Sequence, residues 1–276
     1  MWLLLLGVPL LAQQLQFSTI AESTVVGRLQ SIARGDNEAR LGALRTLFVE
    51  AGCEIDEQKA KGSKLPNLVC GLGENTDAGL ILVTAHFDKV RAGAGAIDNW
   101  TGASLLPSLY ESLRHGTALR HRFLFIGFTD EEAGLVGSRA WVSANRKTLL
   151  KHVRAVVNID SVAAGPLPLY LWASRADPEL GRMALEIAQA VKVPVQGMNV
   201  EKVGNSDTAP FRDAKVPTID FHGLTNETWL ILHTIDDQLS KVNLDAYKAT
   251  YRFLAVYLKY LDQSLAPAGS PTAGLK

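Results

Sequence analysis

The stretch Phe123-Leu124-Phe125-Ile126-Gly127-Phe128-Thr129-Asp130-Glu131-Glu132-Ala133-Gly134-Leu135-Val136-Gly137-Ser138 decides how this chain is read. Its first half is apolar, rich in aromatics and too short for a helix, which predicts a buried strand. Its second half sets Asp130, Glu131 and Glu132 side by side, with Gly134 and Gly137 close behind. Adjacent carboxylates repel, and a strand end gains nothing from them unless a bound cation reverses the sign. A solvated acidic turn accounts for a Glu-Glu pair taken alone. The end of a buried strand is also where open α/β sheets build their sites. The two readings separate on whether the rest of the chain supplies further ligands.

Three other apolar runs and a loop supply them. Residues 80–85 read as a buried strand that runs into His86-Phe87-Asp88. Residues i and i+2 of a strand share a side, so His86 can hold a metal while Asp88 accepts its other ring N–H. Residues 91–102 form a loop of small residues around Asp98, open to close backbone approach. Residues 153–159 predict a third strand, followed by Asp160, and the apolar run 228–232 leads into His233, with Asp236 placed to orient it. One His or Asp after a strand is common. Ligand-type residues after each of these runs are not a chance pattern.

In order and at close spacing the chain carries His86-x-Asp88, Asp98-Asn99-x-Thr101-Gly102, Glu131-Glu132-x-Gly134-Leu135-x-Gly137-Ser138, Asn158-Ile159-Asp160 and His233-Thr234. Together these motifs resemble the M28 family of zinc aminopeptidases, from about residue 79 to 242. The resemblance implies two zinc ions per chain, with Asp98 bridging them. It implies that His86 and Asp160 hold one ion and that Glu132 and His233 hold the other. Glu131 is left as the general base, with Asp88 beside it in the catalytic set. Neighbours on an extended turn cannot point the same way, so one Glu can ligate while the other faces the substrate. The Asp98–Asn99 peptide is often cis in this family. Asn99 and His222 are expected to face the substrate, a peptide with a free and apolar N-terminal residue; Asp207 is expected to support the site from its turn.

Two rivals follow. A glutaminyl-peptide cyclotransferase is related, shares the fold, binds one zinc and cyclises N-terminal Gln. His233-Thr234-Ile235-Asp236-Asp237 resembles its ending, but only residues 133–136 separate the Glu pair from Gly137-Ser138, fewer than in the cyclases. A non-catalytic binding module on the same scaffold predicts at least one lost ligand, and all the ligand positions and the base are present.

Composition narrows the partners. Lys+Arg and Asp+Glu are both 28, so no basic excess exists to neutralise phosphates, and nucleic acid is not expected as a partner. The two cysteines, Cys53 and Cys70, form no Cys-x-x-Cys. A metal here must therefore be held by His and carboxylates, which suits a catalytic site. Cys53 and Cys70 flank a predicted strand pair, 54–58 and 67–72. Export permits a disulfide there, and free buried thiols fit the spacing at least as well.

Residues 1–12 read as a secretory leader cut near Ala12, although no Lys or Arg precedes the run and Leu10 is not small. The run is shorter than the ~20 residues a membrane span needs, so the protein is expected to be secreted or periplasmic, without a stable span. Residues 13–265 are then one domain, and the Pro/Gly/Ser/Thr-rich 266–276 a disordered tail. Helices are expected over 13–29 (with Ser18 as a cap), 38–51, 100–115 (kinked at Pro107), 135–150, 178–191 and 243–261, with a short one from 206. Strands are expected at 169–172, from 193, and at 216–222. His115, His121 and His152 are expected at the surface. Strands alternating with helices predict an α/β fold, a mixed and largely parallel twisted sheet with helices on both faces. No inserted domain appears, so the site should be open.

Overall fold

Strand β3 (Leu80–His86), β4 (Arg122–Phe128), β5 (Val153–Ile159) and β8 (Thr218–His222) are the apolar runs of the sequence, and they lie parallel in the order β4-β3-β5-β8. The structure is a computed structural model that describes residues 15–32, 35–74, 77–200 and 204–267. The expected leader and the expected tail from residue 268 lie outside the described residues. An antiparallel hairpin, β1 (Ile55–Lys59) and β2 (Pro66–Leu72), extends the sheet beyond β4. β6 (Leu169–Leu171) and β7 (Val195–Gly197) extend it beyond β8, with β6 antiparallel to β8. The sheet is thus mixed, with its parallel strands at the centre.

Period-2 alternation sends successive side chains of each central strand to opposite faces. Ile81, Val83, Phe123, Phe125, Val157 and Ile159 enter the larger core. There they meet α1 (Glu22–Gln30), α2 (Asn37–Glu50), α3 (Thr101–Arg114), α5 (Pro178–Val191) and α7 (Leu244–Ser264). Leu82, Leu124, Ile126, Phe128 and Val156 enter a second core, under Trp141 of α4 (Val136–Asn145) and Phe211 of α6 (Ala209–Asp213). Strands buried on both faces need continuous apolar sequence, which is what marked them out. Each fully buried Phe or Ile contributes about 1.5–3 kcal/mol.

The parallel order puts the C-terminal ends of β3, β4, β5 and β8 on one edge. The chain leaves β3 for β4 on one side and then crosses to β5 on the other. Such a reversal opens a crevice between the loops that follow the strands. His86 closes β3, Asp130-Glu131-Glu132 follows β4, Asp160 follows β5 and His222 closes β8.

Several elements differ from expectation. α1 begins at Glu22, not at 13, and Ala21 stands at its N-cap. Ser18 does not cap; its hydroxyl donates to the His115 carbonyl at 3.3 Å. The Ile20 N–H donates to the Tyr251 hydroxyl at 2.7 Å, so a contact with α7 overrides local periodicity. α4 stops at Asn145, whose side-chain amide donates to the Trp141 carbonyl at 2.9 Å and competes with the helical bond there. α3 continues through Pro107 as one element. The run at 228–232 is no strand but one 3₁₀ turn, Thr228–Ile231, because both edges of β8 are already taken by β5 and β6. Leu230 on it is 61% exposed. His121 is buried, not at the surface, and its N–H donates to Asp262 of α7 at 2.9 Å. Cys53 and Cys70 are joined in a disulfide, Cα–Cα 6.1 Å, so the free-thiol alternative falls. The hairpin register pairs Cys70 with Ile55 and so carries Cys53 alongside.

Candidate metal centre

His86 is 1% exposed, and its Nε2 lies 3.2 Å from Asp98 Oδ1 and 3.6 Å from Asp160 Oδ1. The other oxygen of Asp98, Oδ2, lies 3.2 Å from His233 Nε2, which is 2.9 Å from Glu132 Oε2. Two groups result, His86–Asp98–Asp160 and Asp98–Glu132–His233, each with its ligand atoms within 4.8 Å of one another. Asp98 belongs to both, one oxygen to each.

Asp88 does more than stand behind His86. Its Oδ1 lies 3.4 Å from His86 Nδ1, an ion-pair distance without hydrogen-bond geometry. Its two oxygens accept the N–H groups of Glu131 and Glu132 at 3.0 and 3.2 Å, which fastens the acidic turn after β4 to the end of β3. The loop that carries Asp98 is held from three sides. Asp237 accepts the N–H groups of Ile97 and Asp98 at 2.6 and 3.1 Å, and its own carbonyl accepts from Ala94 at 2.8 Å. Asp236, expected to orient His233, is exposed; His233 meets Asp98 and Glu132, while the neighbouring Asp237 holds the Asp98 loop. Arg40 of α2 donates through Nε to the Phe87 carbonyl, through Nη1 to Ala94 at 3.0 Å and through Nη2 to Gly95 at 3.1 Å. Its guanidinium also lies over the Trp100 ring, 5.2 Å from the centroid. Nothing in the sequence marks Arg40, because an arginine on an amphipathic helix reads as a solvent-facing residue. A Cβ on Gly102 would fall 2.2 Å from the Ile159 carbonyl, so this loop packs on the end of β5 only with glycine there.

Asn99 does not face the cleft. It is fully buried; its amide donates to the Ile159 carbonyl at 2.8 Å and accepts from Gly102 and Ser161 at 2.9 and 3.1 Å. It anchors the loop instead, and the Asp98–Asn99 peptide is cis. His222 does line the cleft, but both ring nitrogens are engaged: Nδ1 accepts from Leu224 N–H at 3.2 Å and Nε2 faces the Met198 carbonyl at 3.3 Å. Its ring stacks with Tyr170 and lies 5.1 Å from the Trp172 centroid. Burial lowers its pKa to about 4, in keeping with that neutral tautomer. His222 therefore offers a substrate no free polar atom.

Beneath the site a polar ladder crosses the sheet. Thr84 donates to Asn158 at 2.8 Å, Asn158 to Asp220 at 3.1 Å, and Asp220 accepts from Ser206 and Thr208 at 2.6 and 2.7 Å. The loop so held contains Asp207, which is buried with both carboxylate oxygens unpartnered. Burial, with repulsion from Asp88 and Asp160 opposing the pull of His86, pushes Asp207 up to about 7.

The electrostatics favour a cation. Burial, and then repulsion from Asp207, Asp160 and Asp98, outweighs the attraction of His86 and pushes Glu131 up to about 10. Burial raises Glu132 too. Hydrogen bonds to Asp98 and Glu132 raise His233 to about 10. Burial works against a charged His86, but Asp160, Asp88 and Asp98 raise it well above the ordinary value. The carboxylates thus favour positive charge at the imidazoles, the charge that metal ions would supply there. Both nitrogens of His86 and Oε1 of Glu132 are buried without a hydrogen bond. One imidazole and carboxylate oxygens in each group are the donors that zinc and similar divalent ions take. The residues fit a metal pair.

These groups sit at the base of a cleft of about 420 Å³. The profile of peptidase family M28 matches residues 67–258, a span that includes every candidate ligand and excludes Arg40. The chain belongs to peptidase family M28. Among similar proteins, aminopeptidase YwaD of Bacillus subtilis is 27% identical over 180 residues, 59% of this chain and 37% of that protein. This M28 chain therefore spans well under half of that relative. The LapA aminopeptidase of Legionella pneumophila superposes with a TM-score of 0.77 at 20% identity, over 94% of this chain and 75% of that one. A glutaminyl cyclase of Porphyromonas gingivalis superposes with a TM-score of 0.69 at 16% identity, over 88% and 99%. At such identities the likeness establishes a shared fold, and the fold carries both chemistries. Among the described residues, no helix is long and apolar enough to cross a membrane.

Proposed function

We propose that this M28 chain is a metal-dependent aminopeptidase that takes two zinc ions and releases single residues from the free N-terminus of a peptide. The observation that carries the reading is the division of Asp98, one oxygen in each ligand group. A single-metal site has no need of a carboxylate shared in this way; a pair does. His86 and Asp160 would complete one position, Glu132 and His233 the other. Bound there, zinc supplies Lewis acidity, which polarises the scissile carbonyl and makes water acidic enough to ionise near neutral pH.

The chain's own residues do the rest. Glu131 lines the cleft beside Glu132. It takes a proton from the attacking water and returns it to the leaving amine nitrogen. A neighbouring cation charge opposes the upward shift that burial gives Glu131 and so favours the carboxylate form that a base needs. Asp88 holds the backbone of both Glu residues and so fixes the base relative to the ligands. Trp172, Phe221, Leu224 and Trp229 give the cleft an apolar wall suited to an apolar N-terminal side chain, and the surplus of carboxylates suits its ammonium group. The Cys53–Cys70 disulfide supports an oxidising compartment, secreted or periplasmic.

The test is a metal count by mass spectrometry, on the same protein assayed with aminoacyl anilides, N-acetylated peptides and Gln-initiated peptides. Two zinc ions per chain, release of free amino acids and resistance of acetylated peptides are expected. Asp98→Ala should lose both ions together. One zinc in fully active protein, with ammonia released from Gln peptides and no residue freed, gives the site to the cyclase reading.

A further inference from the structure

The cleft has two unlike walls. One is aromatic and aliphatic, with Trp172, Phe221, Trp229 and Leu232. The other is the turn after β4 and the start of α4, from Glu131 to Arg139. Arg139 is exposed at that rim and is the one Arg or Lys among the described residues that line the cleft. Its Nε donates to the Gly134 carbonyl at 3.2 Å. That bond steadies the guanidinium against the turn that bears Glu131 and is made by Nε, not by either Nη group.

The position has a chemical meaning that rests on the aminopeptidase reading above. The group that protonates a leaving amine must stand beside it. With Glu131 in that role, the residue that follows the scissile bond lies toward the Glu131 wall, and hence toward Arg139. A guanidinium presents parallel N–H groups that match a carboxylate. In a dipeptide, the residue after the scissile bond carries its own α-carboxylate at that place. In a longer peptide, only an acidic side chain could offer one there.

We infer that Arg139 is a specificity-determining residue that binds the carboxylate of the residue after the scissile bond, and that dipeptides with a free C-terminus are the favoured substrates. The field of the cleft supports this. Its carboxylates lie at the base, among the metal ligands, and its one fixed cation lies at the rim on the leaving side, so a substrate with an ammonium at one end and a carboxylate at the other is oriented by both.

The experiment compares kcat/KM on zinc-loaded protein for Leu-Gly, Leu-Gly-amide and Leu-Glu-amide, with wild type, Arg139→Gln and Arg139→Lys. Wild type should prefer Leu-Gly over its amide by about tenfold, mostly through KM. The ratio should shrink with added salt, because the rim is exposed. Arg139→Gln should bring the ratio close to one, and Arg139→Lys should keep part of it as a point charge. A merely structural arginine would lower both substrates together and leave the ratio intact. Equal cleavage of acid and amide by wild type, or an unchanged ratio in Arg139→Gln, overturns the inference and leaves the aminopeptidase reading standing. Leu-Glu-amide cut as well as Leu-Gly would assign the arginine to acidic side chains and overturn the preference for dipeptides. No leucine released from any of the three overturns this inference and the reading beneath it.

Discussion

Replacing Arg40 by methionine keeps an aliphatic stem in α2 and removes the guanidinium. Three carbonyls then lose their donor: Phe87, between His86 and Asp88, and Ala94 and Gly95, which lead into Asp98. Burial lowers the Arg40 pKa to about 10, so the group is a cation at neutral pH. A hydrogen bond from a charged donor contributes about 1.5–3 kcal/mol. The three bonds share one group and do not add in full; breaking a buried charged network from one side costs about 3–5 kcal/mol. A second effect has the opposite sign for metal binding. Arg40 lies in the field of Asp88, Asp237, Asp98 and Glu132, and removing a cation from an acidic site favours a doubly charged metal ion by roughly 3 kcal/mol over about 10 Å at an effective dielectric near 20, before the water and salt of the open cleft screen it. The clamp is the larger contribution, so Arg40→Met should unfold at lower urea and bind zinc about tenfold or more weakly. Urea unfolding of chelator-treated protein gives the first quantity, and zinc titration against a chromogenic chelator gives the second. Arg40→Lys keeps the charge but not the three-way geometry, and should recover less than half of the lost stability. If folded Arg40→Met binds zinc as tightly as wild type or more tightly, the arginine acts through its field and the loop needs no clamp.

Three further outcomes are expected. Glu131→Gln should keep its zinc and lose about 10²–10⁴ in rate, whereas Glu132→Gln should lose zinc; metal content and kcat on the same preparations check this, and the reverse pattern would exchange the roles of the pair. His222 has a folded pKa near 4 against an ordinary value of 6.5, so between those values the unfolded chain binds a proton that the folded one does not. Stability attributable to His222 is therefore full above pH 6.5 and falls by about 3 kcal/mol as pH drops to 4, seen as the wild-type minus His222→Gln difference in unfolding free energy; a difference independent of pH would refute it. Cutting the Cys53–Cys70 link, which closes a sequence separation of 17, with the double Cys→Ser variant should lower stability by about 3 kcal/mol, read from urea midpoints under oxidising conditions.

The sequence alone determined the fold class and marked the candidate donors. The apolar runs at 80–85, 123–128 and 153–159 read as buried strands, and the residues that ended them were recognisable by type. This works because periodicity and residue chemistry are local. The cap of α5 obeys the same local rule: Asp177 accepts from the N–H groups of Glu179 and Leu180, two and three residues away.

Tertiary structure decided what those residues touch. Asp98 can be assigned to two ligand groups only once β3, β4 and β5 bring His86, Glu132 and Asp160 to one edge of the sheet. Asp237, not its exposed neighbour Asp236, turns inward because the Asp98 loop presents N–H groups on that side. Asn99 looked like a substrate contact by its place in a motif, yet its amide is consumed by Ile159, Gly102 and Ser161. The run at 228–232 is apolar like the strands, yet it forms a 3₁₀ turn, and β8, the strand before it, is already paired on both sides. Arg40 lies outside the family match and 47 residues from the carbonyl that its Nε reaches. A pattern of apolar residues reports which side of an element is buried. It carries no record of which distant backbone groups will need a donor there, and a buried polar group is held by the partners that the assembled fold leaves unsatisfied.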